Sequence, residues 1–511
     1  MNKRTHPSLL ALLLCFATLF SFVSCQIGSG SNNKTTVATP TASPSQSTTG
    51  GGNASSTVKL DFYSINDMHG NVKDSDDQTG IGKLTSFFSE KAEEENAIFL
   101  SAGDMWQGGV ESNNTKGKLV TDWMNQVGFT AMTLGNHEFD WGTEKIKMNA
   151  ELAEFPILAI NVYERATSQR ASYCQPSVTV EKEGVKIGII GAVGDVYSSI
   201  SASRVKDVYF KVGSELTALV KAESEKLRAE GADFIVYVLH DGYSTRTTNT
   251  SVPVSDSKLG HYDTSLSNGY VDLVFEGHTH TRNMYTDKYG VYHLQAGGEN
   301  EAFAHVEVTY NKDTDSYRIT ENELVRTEDL YQYPIDENTL TLYEKYADEI
   351  GDPYAVLGNN AYYRSSTALK QLVAKLYLEA ALEKWGEEYT IFLGGGYLNT
   401  RSPYDLEAGN VCYADLLSLF PFDNDLVLCS IKGSDLQRRY VDNDSYYTAY
   451  SAYGTQNIGS IDPNATYYVV TDTYNSDYTA NRLTIVDYYS IDGIYARDLL
   501  AEYAKNGGFS K

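Results

Sequence analysis

Phe62-Tyr63-Ser64-Ile65-Asn66-Asp67-Met68-His69-Gly70 is an apolar run that ends directly in Asn, Asp and His. The same design recurs downstream. Ile98 to Leu100 runs into Gly103-Asp104, Ala131 to Leu134 into Gly135-Asn136-His137-Glu138-Phe139-Asp140, Phe234 to Leu239 into His240-Asp241-Gly242, and Val271 to Phe275 into Gly277-His278-Thr279-His280. Short apolar runs bounded by Gly and polar residues are strand signals, and Ile187 to Ile190 is one more. Between them Ile81, Leu84, Phe87 and Phe88 fall at helical spacing, and Glu215 to Glu230 has a helix former's composition. From Val58 to about Leu330 the chain therefore reads as layered α/β, with sheet between helices. Because the carboxyl ends of strands in such a fold converge on one crevice, the five polar strand ends are expected to meet.

Asp, Asn and His donors without a thiolate suit divalent ions such as Zn²⁺, Mn²⁺, Fe²⁺ or Mg²⁺ rather than a closed structural zinc. Asp67-x-His69 and His278-x-His280 each put two donors on one side of a strand end, since alternate residues of a strand point the same way. With Asp104, Asn136 and His240 the set exceeds what one catalytic ion with open positions uses, so two ions with one bridging carboxylate are expected. Any one of these residues alone would read as a helix cap or a structural histidine. Their ordered recurrence after apolar strands carries the inference.

The order DxH, GD, GNHE, H, GHxH resembles the calcineurin-like metallophosphoesterases, and the form Asn66-Asp67-Met68-His69-Gly70 with Gly135 to Gly142 looks like the secreted 5′-nucleotidase branch. The resemblance implies a four-layer α/β/β/α metal domain followed by a smaller α/β substrate-binding domain. It implies two divalent ions (zinc, manganese, iron, magnesium or calcium), one held by Asp67, His69, Asp104 and His280 and the other by Asp104, Asn136, His240 and His278. Asp104 would be the bridge. His137 would be catalytic and not a ligand, oriented by Asp140.

Asn338 to Glu349 reads as a polar helix, and Ala368 to Trp385 as a long helix followed by strands and Gly-rich turns. Here Gly394-Gly395-Gly396-Tyr397-Leu398-Asn399-Thr400-Arg401 and Pro421-Phe422-Asp423-Asn424 resemble the family's Gly-rich turn ending in Arg and its Pro-Phe-x-Asn segment. By that resemblance Arg401 would clamp a phosphate and Phe422 would stack on a base, chemistry suited to a guanidinium fork and an aromatic face. Arg364 resembles a second phosphate-contacting Arg. The turn has two extra residues before Arg401, and Leu393 stands where the family has Asn. In place of Gly-Gly-Asp-Gly-Phe the chain has Thr471 to Tyr478, so Tyr478 or Tyr474 would supply the second aromatic jaw.

The 511 residues divide as follows: a lipoprotein-type signal peptide (1–24), a flexible Ser/Thr/Gly-rich tether (25–57), a metallophosphoesterase domain (58–335), a linking helix (336–353) and a substrate-binding domain (354–511). Lys3 and Arg4 precede the apolar run Leu9 to Val23, too short to span a bilayer, and Val23-Ser24-Cys25 resembles a bacterial lipidation signal with Cys25 as the acylated residue. Export with a lipid anchor at the bacterial cell surface is the expected localisation, and the anchor the only membrane contact. Lys and Arg total 41 against 67 Asp and Glu, a formal charge of −26 that excludes nucleic-acid binding by charge. Cys174, Cys412 and Cys429 lack metal or disulfide-framework spacing; free thiols or one bridge both fit.

The expected activity is hydrolysis of nucleoside 5′-monophosphates outside the cell, with a small-molecule nucleotide as substrate and no obligate protein partner. A 2′,3′-cyclic-nucleotide phosphodiesterase, a UDP-sugar hydrolase on the same scaffold and a non-catalytic tethered binding protein are the alternatives. The resemblance also implies rotation of the second domain to admit substrate.

Overall fold

The apolar runs of the first region build two six-stranded sheets, as the four layers implied by the family resemblance require. The structure, a computed structural model, describes residues 56–94, 96–245, 253, 255, 260–396, 405–438, 448–451, 461–477, 482–489 and 493–510. One sheet has the order Ser316–Arg326, Ala302–Asn311, Thr57–Ile65, Ala97–Ser101, Ala131–Thr133, Ile157–Leu158. The other runs Arg282–Thr286, Tyr292–Ala296, Leu273–Glu276, Phe234–His240, Val185–Val193, Ser177–Lys182. Their inner faces share a core in which Phe62, Ile98 and Val306 of the first meet Val236, Phe234 and Phe275 of the second; the Phe62 and Phe234 rings lie 5.8 Å apart.

Helices Ile81–Glu94, Lys118–Val127 and Thr143–Leu152 cover the outer face of the first sheet through Leu84, Phe88, Leu119, Trp123 and Ile146. Helix Ser214–Ala229 covers the second through Val220 and Leu227. The result is four layers, α/β/β/α. Every residue of Phe234–His240 is buried because one face meets the other sheet and the opposite face meets helix, which is why the strand reads as an unbroken apolar run. Such a run does not say whether its second face meets a helix or a sheet.

In the second region a five-stranded sheet has the order Thr448–Ser451, Ile391–Gly396, Thr466–Asp472, Leu426–Lys432, Thr484–Tyr488. Helix Ser366–Trp385 packs on it, its Leu369, Val373 and Tyr377 sharing a core with Leu428 and Val470 of the sheet and Leu500 of helix Ala496–Lys505. Its start is set by Ser365, whose side chain accepts the N–H of Ala368. The polar stretch expected as one helix is two, Glu337–Lys345 and Ala347–Ile350, broken at Tyr346 and ended at Gly351. Cys174, Cys412 and Cys429 are free thiols. Among the described residues no helix is long and apolar enough to cross a membrane. Cys25 with the leader and the tether as far as residue 55, Arg401 and Tyr478 lie outside the described residues, and Thr57, expected in the tether, already belongs to the first strand.

Candidate metal centre

The polar strand ends of both sheets meet between them. Asp67, His69, His280 form one group and Asp104, His240, His278 another, with the candidate donor atoms of each group within 4.8 Å of one another. Asp104 reaches both, its Oδ2 lying 3.2 Å from His240 Nε2 and 3.9 Å from His69 Nε2. Asn136 joins the second group, its Oδ1 3.0 Å from His240 Nε2 and 2.8 Å from His278 Nδ1. All seven donors expected from the sequence are thus brought together.

The reason that paired donors converge differs from the expected one. The strand Thr57–Ile65 stops before Asp67, and Leu273–Glu276 stops before His278, so strand alternation does not aim them. Instead Asp67, His69, Asp104, His278 and His280 all have positive φ, between 51° and 74°, a region that non-glycine residues seldom occupy. Tertiary contacts hold this unfavourable backbone. Asp67 N–H donates to Gly103 O at 2.9 Å, His69 N–H to Asp104 O at 3.0 Å and Gly70 N–H to Met105 O at 2.8 Å. Gly103 and Gly135 allow the approach, since a Cβ on Gly103 would lie 2.7 Å from Gly135 N and one on Gly135 would lie 2.2 Å from Asp104 Oδ1.

Glu138 fastens the arrangement, and the sequence reading assigned it no role although it sits inside the GNHE motif. Fully buried, it accepts the N–H groups of Gly135, Asp104 and Met105 at 2.7 to 2.8 Å and of Trp106 at 3.3 Å. Burial and the Asp104 charge push its carboxyl up to about 7 against the pull of those donors.

The donor set fits divalent ions. Asp67 and Asp104 are buried carboxylates that pair with no lysine or arginine among the described residues. His69 Nε2 and His280 Nε2 face one another at 2.9 Å, an arrangement natural for two lone pairs aimed at one cation. His69 Nδ1 lies 2.9 Å from Gln107 O and His240 Nδ1 2.7 Å from Ala102 O, so each ring can spend its N–H on a carbonyl and keep Nε2 for a ligand. Asn136 turns its oxygen into the group and leaves a buried Nδ2 unpartnered. Burial would raise the Asp104 carboxyl, but His240, His137 and His69 hold it well below the usual range.

Of these donors Asp104, Asn136, His278 and His280 line a cleft of about 220 Å³, whose other lining includes His137, Asp140, Ser199, Ser201, Arg204, Phe422, Asn424 and Tyr474. His137 Nδ1 lies 2.8 Å from Asp140 Oδ2, and its ring stacks on Phe422 with centroids 5.5 Å apart. Phe422 and Tyr474 are therefore at the cleft. Arg364 is not among its lining residues; its Nε donates to Asn360 at 2.9 Å and its guanidinium stacks on Tyr362. Arg204, Ser199 and Ser201 were not found from sequence, because nothing in their short helical-turn segment marks a site.

Residues 60–282 match the calcineurin-like phosphoesterase family. The chain is 26% identical to Protein UshA of Yersinia enterocolitica over 435 residues, 74% of this chain and 77% of that one. It is 25% identical to a 5′-nucleotidase of Vibrio parahaemolyticus over 436 residues, 75% and 74% of the two chains. Among solved structures, a 5′-nucleotidase precursor from Thermus thermophilus shares the fold with a TM-score of 0.62 at 20% identity, over 88% of this chain and 96% of that one. With donors for two divalent ions at the junction of two sheets and a calcineurin-like phosphoesterase match over residues 60–282, this chain is a metal-dependent phosphoric ester hydrolase similar to the 5′-nucleotidases.

Proposed function

We propose that this chain removes phosphate from nucleoside 5′-monophosphates at the bacterial cell surface, in nucleotide scavenging. The reading is carried by one cleft in which Asp, Asn and His donors, a carboxylate-bound histidine and two aromatic rings stand together. Asp67, His69, Asp104 and His280 would hold one ion and Asp104, Asn136, His240 and His278 the other. Bound there, the ions would supply Lewis acidity that neutralises charge on the phosphoryl oxygens and acidifies the attacking water. Asp140 fixes Nδ1 of His137, and the imidazole so oriented would steady the transition state or hand a proton to the departing sugar oxygen. Phe422 with Tyr478 or Tyr474 would sandwich the base, and Arg401 would hold the phosphate, joined by Arg364 only where rotation of the second domain carries it to the cleft. The residues 58–335 and 354–511 act as metal and substrate domains joined by 336–353. Lys3-Arg4, the apolar run and Cys25 support export and lipid anchoring.

The test is hydrolysis of AMP, 2′,3′-cyclic AMP and UDP-glucose by the chain loaded with Zn²⁺ or Mn²⁺, with Asp104→Asn as control. Rapid AMP turnover that disappears in the control supports the proposal. Preference for the cyclic diester or for UDP-glucose reassigns the substrate, and inertness with two bound ions makes a tethered binding protein the better account.

A further inference from the structure

Arg204, on the short helical turn Ala202–Val205, lines the same cleft as His137 and His278. One terminal nitrogen holds it in place: Nη2 donates to the main-chain oxygen of Asp423 at 2.8 Å and to Asp425 Oδ2 at 3.2 Å. Nε and Nη1 make no hydrogen bond with the described residues. Its side chain keeps 26% of its surface exposed and that of Asp425 21%, and an ion pair so open to water is weak and readily exchanged.

Behind the guanidinium lies a second cavity of about 620 Å³, which Arg204 shares with Lys206, Lys384, Asp425 and Asp487. Three cations face two carboxylates there, a local positive excess on a chain whose formal charge is −26. Lys384 is committed to the main-chain oxygens of Tyr488 and Tyr489, so it adds field rather than a free donor. An arginine with Nε and one terminal nitrogen unspent is shaped for bidentate binding of a phosphate, and a phosphate offers more charge and more acceptors than the single Asp425 oxygen it would displace.

Resting on the phosphohydrolase reading above, we propose that Arg204 leaves Asp425 to bind the phosphate of a nucleoside diphosphate that is not being hydrolysed, and so sets how well this chain uses nucleoside diphosphates beside the monophosphates. No bond forms or breaks at Arg204 itself. It is a specificity residue contributed by the metal-bearing region, opposite Phe422 and Asn424 of the second region.

Steady-state kinetics on AMP and ADP would compare the metal-loaded wild type with Arg204→Gln, Arg204→Lys and Asp425→Asn. Arg204→Gln is expected to raise KM for ADP roughly tenfold or more, the size of one lost charge-assisted contact, with several-fold less effect on AMP. Lys should recover part of the loss. Asp425→Asn should move the other way and lower KM for ADP, because it removes the competitor for the guanidinium. Equal losses on AMP and ADP in Arg204→Gln, or weaker ADP use in Asp425→Asn, would show that Arg204 is only a strut between the two regions. If the wild type hydrolyses neither nucleotide, the phosphohydrolase reading fails on its own. Calorimetric binding of the α,β-methylene analogue of ADP against AMP then decides: selective loss of the analogue in Arg204→Gln upholds the proposal, and equal affinities overturn it.

Discussion

The two regions serve the cleft in different ways. In the first, six of the seven donors stand on loops and His240 ends a strand; hydrogen bonds and the buried Glu138 lock these backbones to one another, and five of the donors sit in left-handed backbone. In the second, Phe422, Asn424 and Tyr474 reach the same cleft from segments joined to the first region by side-chain contacts, among them Arg204 with Asp423 and Asp425, and Ser201 and Ser203 with Asp477. Lys116 donates to Asp423 at 2.7 Å, Gln107 and Asn113 donate to Pro421 O, and Val110 packs on Ala414 and Leu417. Groups that would share ions tolerate little displacement, so their positions are over-determined. Groups that admit and release a substrate need freedom, and contacts made by single side chains can part and re-form.

This contrast makes quantitative demands. The largest effect should come from Asp104→Asn, which removes the carboxylate facing both donor groups: kcat should fall by more than the roughly 10²–10³ typical of losing one transition-state donor, with metal content reduced and the fold intact by circular dichroism. Next, His137→Asn should keep two ions by elemental analysis yet lose roughly 10²–10⁴ in kcat, the scale of a general acid. Normal turnover with intact metal would remove His137 from the chemistry. Asp423→Asn should act on the other side of the contrast, since Asp423 is buried between Arg497 and Lys116. Breaking a buried pair costs about 3 to 5 kcal/mol, to be read as earlier unfolding in urea and a raised KM, with metal content unchanged. If that variant loses metal instead, the two regions are not independent in the way described. Glu138→Gln should lower metal affinity roughly 10- to 100-fold, as loss of an outer-shell partner does, and should shift the melting temperature less than Asp423→Asn does.

The smallest effect is on the pH dependence of stability, and its sign differs between two buried pairs. Although burial alone would raise it, the charges of Arg497 and Lys116 hold the Asp423 carboxyl down to about 2. Its contribution is therefore complete above the unfolded value of about 3.9 and is lost as pH falls toward 2. His305, in the first region, is opposed by burial but raised to about 9 by hydrogen bonds with Asp61 and Glu323. Its contribution is complete below about pH 6.5 and is lost as pH rises through 9. Urea midpoints measured across pH should show Asp423→Asn flattening the acid limb and His305→Gln the alkaline limb. An exchange of these limbs would refute the assignment.

What the sequence determined by itself is the layered α/β class, the strands leading into the site and the identity of the seven donors, because apolar runs ending in Asp, Asn or His are local patterns. Family resemblance added the four layers. The residue pattern by itself left open that the donors come from two facing sheets, since a strand buried on both faces reads the same whether its neighbour is helix or sheet. Tertiary structure alone decided how Asp67 and His69 come to face one group. Strand alternation was the local explanation, but the left-handed turns that aim them exist only because Gly103, Gly135 and Glu138 hold separate loops together. Arg204 belongs to the same class of fact: one basic residue in a polar turn carries no signal until the fold sets it beside Asp425 at the mouth of the cleft. Spacing along a chain records which side chains are present, whereas their direction and partners depend on contacts between segments far apart in sequence.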